Sequence, residues 1–132
     1  MDLEFFANDV EAENDGRWVI VGKETRVKIA SKLSPNYEDT ARKYLKAFKK
    51  EGQKRVLDRD DEIKLQAEIF ADAIIKDWEG FTMDDEEYPY TRDNVITLMT
   101  DPKYKRFRAL MQDLANEDAM FIKEQKDETL GN

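Results

Sequence analysis

The chain has 132 residues and a formal net charge of −8, and 39% of its residues are charged, against about 25% in an ordinary globular protein. It contains no histidine and no cysteine, which excludes catalytic triads with histidine, histidine-ligated metals, thiol nucleophiles and disulfide frameworks. No apolar run approaches the ~20 residues that span a bilayer, and the acidic N-terminus does not resemble a targeting segment.

An acidic N-terminal arm and a β-hairpin are predicted first. Residues 1–16 contain six acids and no base, and we interpret residues 3–6 as a short strand or docked arm that precedes a polar loop. Residues 18–21 are rich in β-branched and aromatic side chains. After a turn that contains glycine, apolar and basic residues alternate over 25–29, so two antiparallel strands are expected.

Two long helices are predicted after the hairpin. The first begins at Pro35, with Ser34 as its N-cap, and ends at Gly52. The second spans about 60–80, because apolar residues recur at helical spacing as far as Trp78. Its apolar stripe is wide, so we expect this helix to be the most buried one.

A polar loop and shorter helices are predicted for the rest of the chain. The loop covers residues 82–90, and Thr91 caps a helix over 92–100. The Asp-Pro pair at 101–102 begins another helix, which we expect to continue beyond Asn116 through residues 121–122.

The predicted fold class is mainly α (α+β), with an N-terminal β-hairpin followed by four or five short helices. We expect a single domain over 1–132. Within it, residues 1–33 form the hairpin region with its acidic arm, residues 34–124 form the helical region, and residues 125–132 form a frayed tail.

A basic stretch stands out from this acidic chain. Residues 41–59 carry eight basic and two acidic side chains. Four interpretations remain open: a nucleic-acid patch, a surface for an acidic protein, a contact with the acidic arm of the same chain or of a neighbour, or the solvated face of a helix. The overall negative charge disfavours nucleic acid, so no nucleic-acid partner is expected.

No catalytic, cofactor-binding or metal-binding residues are predicted. The acidic run at 84–87 lacks the glycine and the alternating spacing of a calcium loop, and we interpret it as a solvated loop. The sequence contains neither a phosphate-binding glycine loop nor a nucleophile elbow. We therefore expect a protein that is not an enzyme and needs no cofactor.

One sequence pattern points to a family. Trp-Glu-Gly-Phe at 78–81 is followed by an acidic turn and by Tyr-Pro-Tyr-Thr-Arg-Asp-Asn at 88–94. An apolar helix, Asp-Pro at 101–102 and aromatics at 107 and 121 come next. This pattern resembles the tail assembly chaperones of long-tailed bacteriophages of the siphophage type, in which a W-x-G helix end leads to a P-Y-S/T helix start and then to a D-P helix.

The resemblance covers about residues 5–125 and is strongest over 78–121. It implies an accessory protein of virion assembly that binds the tape-measure protein, helps to recruit the tail-tube (major tail) protein and is absent from the finished tail. It also implies the cytoplasm of the infected bacterial host as the location and no membrane partner. Self-association is left open, and many such chaperones also occur in a longer, frameshifted form.

Aromatic and apolar residues near the acidic loop are the candidate partner-binding residues. Tyr and Trp are enriched at binding hot spots, and a helical domain can receive a partner helix in an apolar groove. The competing interpretation is that the aromatic residues close the edge of a small core. The candidates are Trp78, Phe81, Tyr88, Tyr90, Val95, Met99, Phe107 and Met111.

Two other functions fit the composition. A head–tail connector is another phage morphogenesis part, and it would remain in purified virions. An acidic regulator of a nucleic-acid-binding protein would instead change the outcome of a DNA-binding assay.

Overall fold

The computed structural model describes residues 1–52 and 56–117. These residues contain five α-helices, a three-stranded antiparallel sheet and a small two-stranded sheet. The predicted α+β class with an N-terminal hairpin is confirmed. The predictions for residues 121–122 and for the tail at 125–132 lie outside the described residues.

Residues 1–16 contain two short helical segments, so the predicted strand or docked arm at 3–6 and the polar loop after it were wrong, and the apolar side chains at 3–6 are exposed and not docked. A 3-10 helix spans Leu3–Phe6, and helix α1 spans Val10–Asp15. The Asp2 carboxylate accepts a hydrogen bond from the Glu4 amide at 3.0 Å, and Asp9 caps α1 in the same way. Such caps satisfy the free amides of a helical turn, whereas a strand here would need a neighbouring strand.

The predicted hairpin is confirmed. Strand β1 (Arg17–Gly22) pairs in antiparallel orientation with strand β2 (Thr25–Ile29). Val27 and Ile29 are fully buried. The basic residues that alternate with them along the strand, at positions 26 and 28, face away from the core. The period-two pattern of β2 therefore sets which face of the sheet is covered.

Two long helices follow the hairpin. Helix α2 spans Pro35–Gly52, and the Ser34 hydroxyl accepts a hydrogen bond from the Tyr37 amide at 3.1 Å. Helix α3 spans Arg59–Ala73 and begins with a reciprocal capping box between Asp58 and the third helical residue. The predicted starts of both helices are confirmed to within two residues.

The second predicted helix was too long, because residues 75–79 form a strand. Strand β3 (Ile75–Glu79) pairs with β2 and completes the sheet in the order β1-β2-β3. Without β3, the backbone groups along one side of β2 would be unpaired. A shift in register next to Ile29 turns both Ile75 and Trp78 towards the core, so their spacing of three imitates a helical stripe.

The segment after β3 is also more ordered than the predicted loop. Gly80 follows a strand, so its predicted role as a helix end was wrong, and the W-x-G segment does not end a helix here. Strands β4 (Thr82–Met83) and β5 (Glu86–Glu87) form a second hairpin. The two aspartates between them both have positive φ angles, 54° and 67°, as a two-residue type I′ turn requires.

The last two predicted helix starts are confirmed. Helix α4 spans Arg92–Thr100, with the Thr91 hydroxyl as its cap. A 3-10 turn over Pro102–Tyr104 leads into helix α5 (Lys105–Ala115). The helix ends at Ala115. The prediction that it continues past Asn116 was therefore wrong.

The core lies between the inner face of the sheet and helices α3, α4 and α5. Its largest buried side chains come from several elements, which fixes the positions of these elements against one another. The fully buried large apolar residues are Val27, Ile29, Phe70, Ile74, Ile75, Val95, Met99 and Met111.

Candidate partner-binding surface

Trp78 on strand β3 organises an aromatic cluster, which we define as Trp78, Phe81, Tyr88, Tyr90 and Phe107. Its ring centroid lies 5.3 Å from that of Phe81, 5.4 Å from that of Tyr90 and 6.0 Å from those of Tyr88 and Phe107. Its indole Nε1 donates a hydrogen bond to the Tyr88 carbonyl oxygen at 2.9 Å. The structure thus brings five of the eight predicted site residues into one contact network.

Packing is the first role of this cluster. Trp78 is only 4% exposed, and the other four rings are half-buried against the core. The Tyr90 hydroxyl donates a hydrogen bond to the Ile75 carbonyl oxygen at 2.7 Å, and burial raises the pKa of the Tyr90 phenol. The rings of Phe81, Tyr88 and Phe107 still reach solvent, so the outer edge of the cluster is accessible.

The other three predicted site residues lie inside the core. Val95 and Met99 on α4 and Met111 on α5 are each 0% exposed. A fully buried side chain does not touch a partner while the domain keeps this conformation. These residues, like Trp78, support the surface from beneath rather than form part of it.

A groove between the helices was not among the predicted sites. It consists of two adjoining cavities of about 450 and 420 Å³ that share Ile63 and Arg108. The larger cavity lies between α2, α3 and α5, and the smaller one lies between α3, α4 and α5. We call this pair of cavities the helical groove. Its apolar lining includes Tyr37, Ala41, Leu45, Leu57, Ile63, Leu65, Ile69, Ile96 and Pro102.

Basic side chains border the helical groove. Lys32, Arg59 and Arg108 line the larger cavity, with Glu62 as the acidic residue among its lining side chains. The Lys32 ammonium lies 5.5 Å from the centroid of the Phe70 ring, and burial lowers the pKa of that ammonium. Apolar walls bordered by cations suit a partner that presents an apolar stripe flanked by acids.

The basic stretch 41–59 is therefore divided by the structure. Arg59 borders the helical groove, while Arg42 forms an exposed ion pair with Asp39 at 3.0 Å within α2. The hydrogen bond from Arg92 lowers the pKa of the Asp72 carboxyl group, and the nearby charge of Lys43 adds to that lowering. Residues 53–55 of the stretch lie outside the described residues.

A polar network joins helices α2, α3 and α4. The Tyr44 hydroxyl of α2 donates to a carboxylate oxygen of Asp72 in α3. Arg92 of α4 contacts the same carboxylate through Nε at 2.7 Å and Nη2 at 3.3 Å, and its Nη2 donates to the Tyr44 oxygen at 2.9 Å. The network holds the N-terminus of α4 against α2 and α3.

The N-terminal arm, defined as residues 1–10, carries exposed apolar side chains. Leu3 is 81% exposed, Phe5 57%, Phe6 65% and Val10 61%. An ion pair of 2.7 Å between Asp9 and Arg17 ties the end of the arm to the hairpin. The rest of the described structure therefore leaves these four apolar side chains largely uncovered.

The described residues contain neither a metal-binding cluster nor a membrane-spanning helix. Residues 1–52 and 56–117 contain no group of three or more acidic residues placed to hold a metal ion. None of the helices in these ranges combines the length and apolar character needed to cross a membrane.

Comparison with protein families identifies the origin of the chain. A family model described as YdaY prophage protein matches residues 31–132. The chain belongs to the YdaY prophage protein family. This membership indicates a phage-derived protein. No curated protein and no solved structure matches the chain.

The range matched by the YdaY family covers every described helix and strand that follows the first hairpin. It begins immediately after strand β2 and includes α2, α3, β3, α4 and α5. The helical groove and the aromatic cluster therefore lie almost wholly inside it, whereas the N-terminal arm and the first hairpin precede it.

Proposed function

We propose that the chain is a phage tail assembly chaperone. In this role it binds the tape-measure protein, helps to recruit tail-tube subunits and leaves before the tail is complete. It acts in the cytoplasm of the infected host and needs neither catalysis nor a cofactor. The observation that carries the proposal is the sequence pattern over 78–121, which resembles these chaperones and lies inside the range matched by the prophage family. The helix starts that the pattern implies at 91–92 and 101–102 are present, while its W-x-G segment follows a strand and not a helix.

The helical groove supplies the physical basis for binding the tape-measure protein. The resemblance implies a partner that is long and helical, with apolar stripes that are exposed before the tube surrounds it. An amphipathic helix buries such a stripe in a groove between helices. The two cavities of the groove share Ile63 and Arg108 as lining residues, so one partner segment can contact both.

The accessible edge of the aromatic cluster is the second proposed contact. A chaperone that holds one protein while it recruits another needs two surfaces, and the side chains of Phe81, Tyr88 and Phe107 line neither cavity of the helical groove. We assign the tail-tube protein to this edge. The net charge of −8 keeps such complexes soluble, and many copies along one tape measure allow each contact to be weak.

The test is co-purification with the tape-measure protein of the phage that encodes this chain. Leu45→Glu places a charge on the apolar wall of the groove, where Leu45 is 38% exposed, and we expect it to abolish or strongly reduce capture of the tape measure. Lys46→Glu is the matched control, because it introduces the same residue at the next position of α2 without lining a described cavity. Equal capture by both variants and the unsubstituted chain would reject the groove.

The aromatic edge needs a different substitution. Tyr90→Ala would remove a hydrogen bond and a ring contact from the core. A loss of binding would then mean either a lost contact with the partner or a disturbed core. Tyr88→Ala keeps the Tyr90 hydrogen bond and ring contact but removes the stacking of Tyr88 on Trp78, so circular dichroism must first show that the variant is folded. We expect Tyr88→Ala to weaken capture of the tail-tube protein more than capture of the tape measure. Purified virions provide the decisive control, because a chaperone is absent from them and a head–tail connector is present.

A further inference from the structure

The N-terminal arm combines two properties that a binding segment needs. Leu3, Phe5 and Phe6 are all more than half exposed, and Asp2 and Glu4 alternate with them. The capped 3-10 helix gives this segment a defined shape before it binds. A pre-ordered segment loses less conformational entropy on association than an unfolded one.

The helical groove is complementary to the N-terminal arm in its apolar surface and in its charge. The groove is lined by apolar side chains, and Lys32, Arg59 and Arg108 border its larger cavity. The arm offers apolar side chains with acids between them, and residues 1–16 contain no base. Burying a phenylalanine ring in such a cavity is favourable by itself, and the acids then meet cations rather than one another.

We propose that the N-terminal arm of one copy of this chain binds in the helical groove of a second copy. The two surfaces are different, so one such contact leaves a free groove on one copy and a free arm on the other, and these two either meet each other in a two-fold dimer or bind further copies. Because the tape-measure protein is proposed to use the same groove, the arm covers that groove until the tape measure displaces it. The contact itself requires only this chain, so its test is independent of the proposed function.

The test is complementation between two variants, with mass measured by light scattering after gel filtration. Phe5→Ser combined with Phe6→Ser removes the apolar arm and leaves the groove intact, whereas Leu45→Glu blocks the groove and leaves the arm intact. Each variant alone is expected to be monomeric, with association weakened by about tenfold or more. A mixture of the two has one intact arm and one intact groove, so it forms a heterodimer and grows no further.

Matched controls separate this contact from general stickiness. Ile20→Ser removes an apolar side chain that is 81% exposed on β1, and Lys46→Glu changes the charge of α2 away from the groove. Both are expected to associate as the unsubstituted chain does. Arg59→Glu provides a second groove variant, because an acid at the first position of α3 suits the positive end of the helix dipole and preserves folding.

Three results would overturn the proposal. The first is an unsubstituted chain that is monomeric at every concentration, which would also be the outcome if the arm occupied its own groove. The second is a groove variant that still dimerises while the arm variant does not, since this indicates contact between two arms. The third is a mixture of the two folded variants, verified by circular dichroism, that fails to form a heterodimer.

Discussion

Two tyrosines of the aromatic cluster differ in what their hydroxyl groups do. The Tyr90 hydroxyl donates to the Ile75 carbonyl oxygen at 2.7 Å, whereas the hydrogen bonds of the described residues include none from the Tyr88 hydroxyl. Tyr90→Phe removes this donor from the carbonyl of the fully buried Ile75, and we expect the free energy of unfolding to fall by about 1 kcal/mol. Urea denaturation measures this change.

Tyr88→Phe is the matched control for this prediction. It deletes the same oxygen from the neighbouring ring and keeps the stacking on Trp78. We expect its unfolding midpoint to stay near that of the unsubstituted chain. Similar losses in the two variants would mean that ring polarity, and not the hydrogen bond to Ile75, accounts for the effect.

Gly80 occupies a backbone position that no other residue fits. Its φ angle is +94°, and a Cβ atom there would lie 2.1 Å from the Glu24 carbonyl oxygen. Gly80→Ala therefore adds backbone strain to a steric clash with main-chain atoms, and we expect it to cost about 3 kcal/mol of stability. Thermal unfolding monitored by circular dichroism measures the loss.

Gly22→Ala is the control for Gly80. At Gly22 the nearest atom to an added Cβ is the Thr25 Cβ at 3.9 Å, which is an ordinary contact. The substitution is expected to change stability by about 0.5 kcal/mol or less. A large loss at Gly22 would show that the whole hairpin region is intolerant of alanine, and the argument from the close approach at Gly80 would then fail.

At the scale of elements, the Tyr44–Asp72–Arg92 network joins α2, α3 and α4. The hydrogen bond from Arg92 holds the pKa of the Asp72 carboxyl below its ordinary value of 3.8. The Asp72 and Arg92 side chains are 31% and 49% exposed, so solvent screens the pair. We expect Asp72→Asn to lower the free energy of unfolding by about 1 kcal/mol at neutral pH.

The pH dependence of this loss follows from the direction of the shift. A carboxyl group with a depressed pKa in the folded state contributes stability above its unfolded pKa, and this contribution disappears as the pH falls through the folded pKa. The gap between Asp72→Asn and the unsubstituted chain should therefore be largest near neutral pH and should close in acid. Urea midpoints across the acid range test this, and a constant gap would contradict it.

Asp39→Asn is the control for the network. It removes the same charge from an exposed ion pair with Arg42 inside α2, where both side chains are more than 70% exposed. Such pairs contribute little to stability. We therefore expect a smaller loss at neutral pH than for Asp72→Asn.

Elements whose signals are local were predictable from the sequence. Ser34, Thr91 and the Asp-Pro pair at 101–102 each mark a helix start through a cap or a fixed φ angle, and the structure has a helix at each of them. The alternation over 25–29 likewise indicated a strand with one buried face. In each case, neighbouring residues alone supply the physical cause.

Strand β3 was missed because its cause is not local. Its apolar residues fit a helical stripe when they are considered alone, and pairing with β2 overrides that preference. The helical groove was missed for a related reason. Its walls come from α2, α3, α4 and α5, so it exists only after those helices have packed. The partner prediction selected aromatics by residue type, and several of these, Trp78 first among them, are needed by the core.

At the scale of the whole molecule, the net charge of −8 conceals an uneven distribution. The arm is acidic, the groove is bordered by cations, and the outer face of the sheet pairs its charges across strands, as Arg26 does with Glu79 at 2.6 Å. Two copies therefore repel at long range and attract where the arm meets the groove. The long-range repulsion between copies is screened at lower salt concentrations than the attraction between the arm and the groove.

The proposed contact between copies should have a salt optimum. Between about 0.01 M and about 0.1 M salt the Debye length falls from roughly 30 to roughly 10 Å, which screens repulsion between whole molecules but spares ions in contact. Association of the complementing variants is expected to tighten over this range. Towards about 1 M the Debye length approaches roughly 3 Å, so the ion pairs between arm and groove weaken and association declines.

Arg59→Gln separates the two effects. In the copy that supplies the groove it removes one bordering cation, so we expect a smaller decline at high salt while the rise at low salt persists. Lys46→Gln changes the net charge by the same amount outside the groove and should leave both parts of the curve unchanged. Dissociation constants from analytical ultracentrifugation across the salt series measure the curves. Association that strengthens steadily up to about 1 M salt would show that apolar burial alone holds the contact, because screening would then remove repulsion and nothing else.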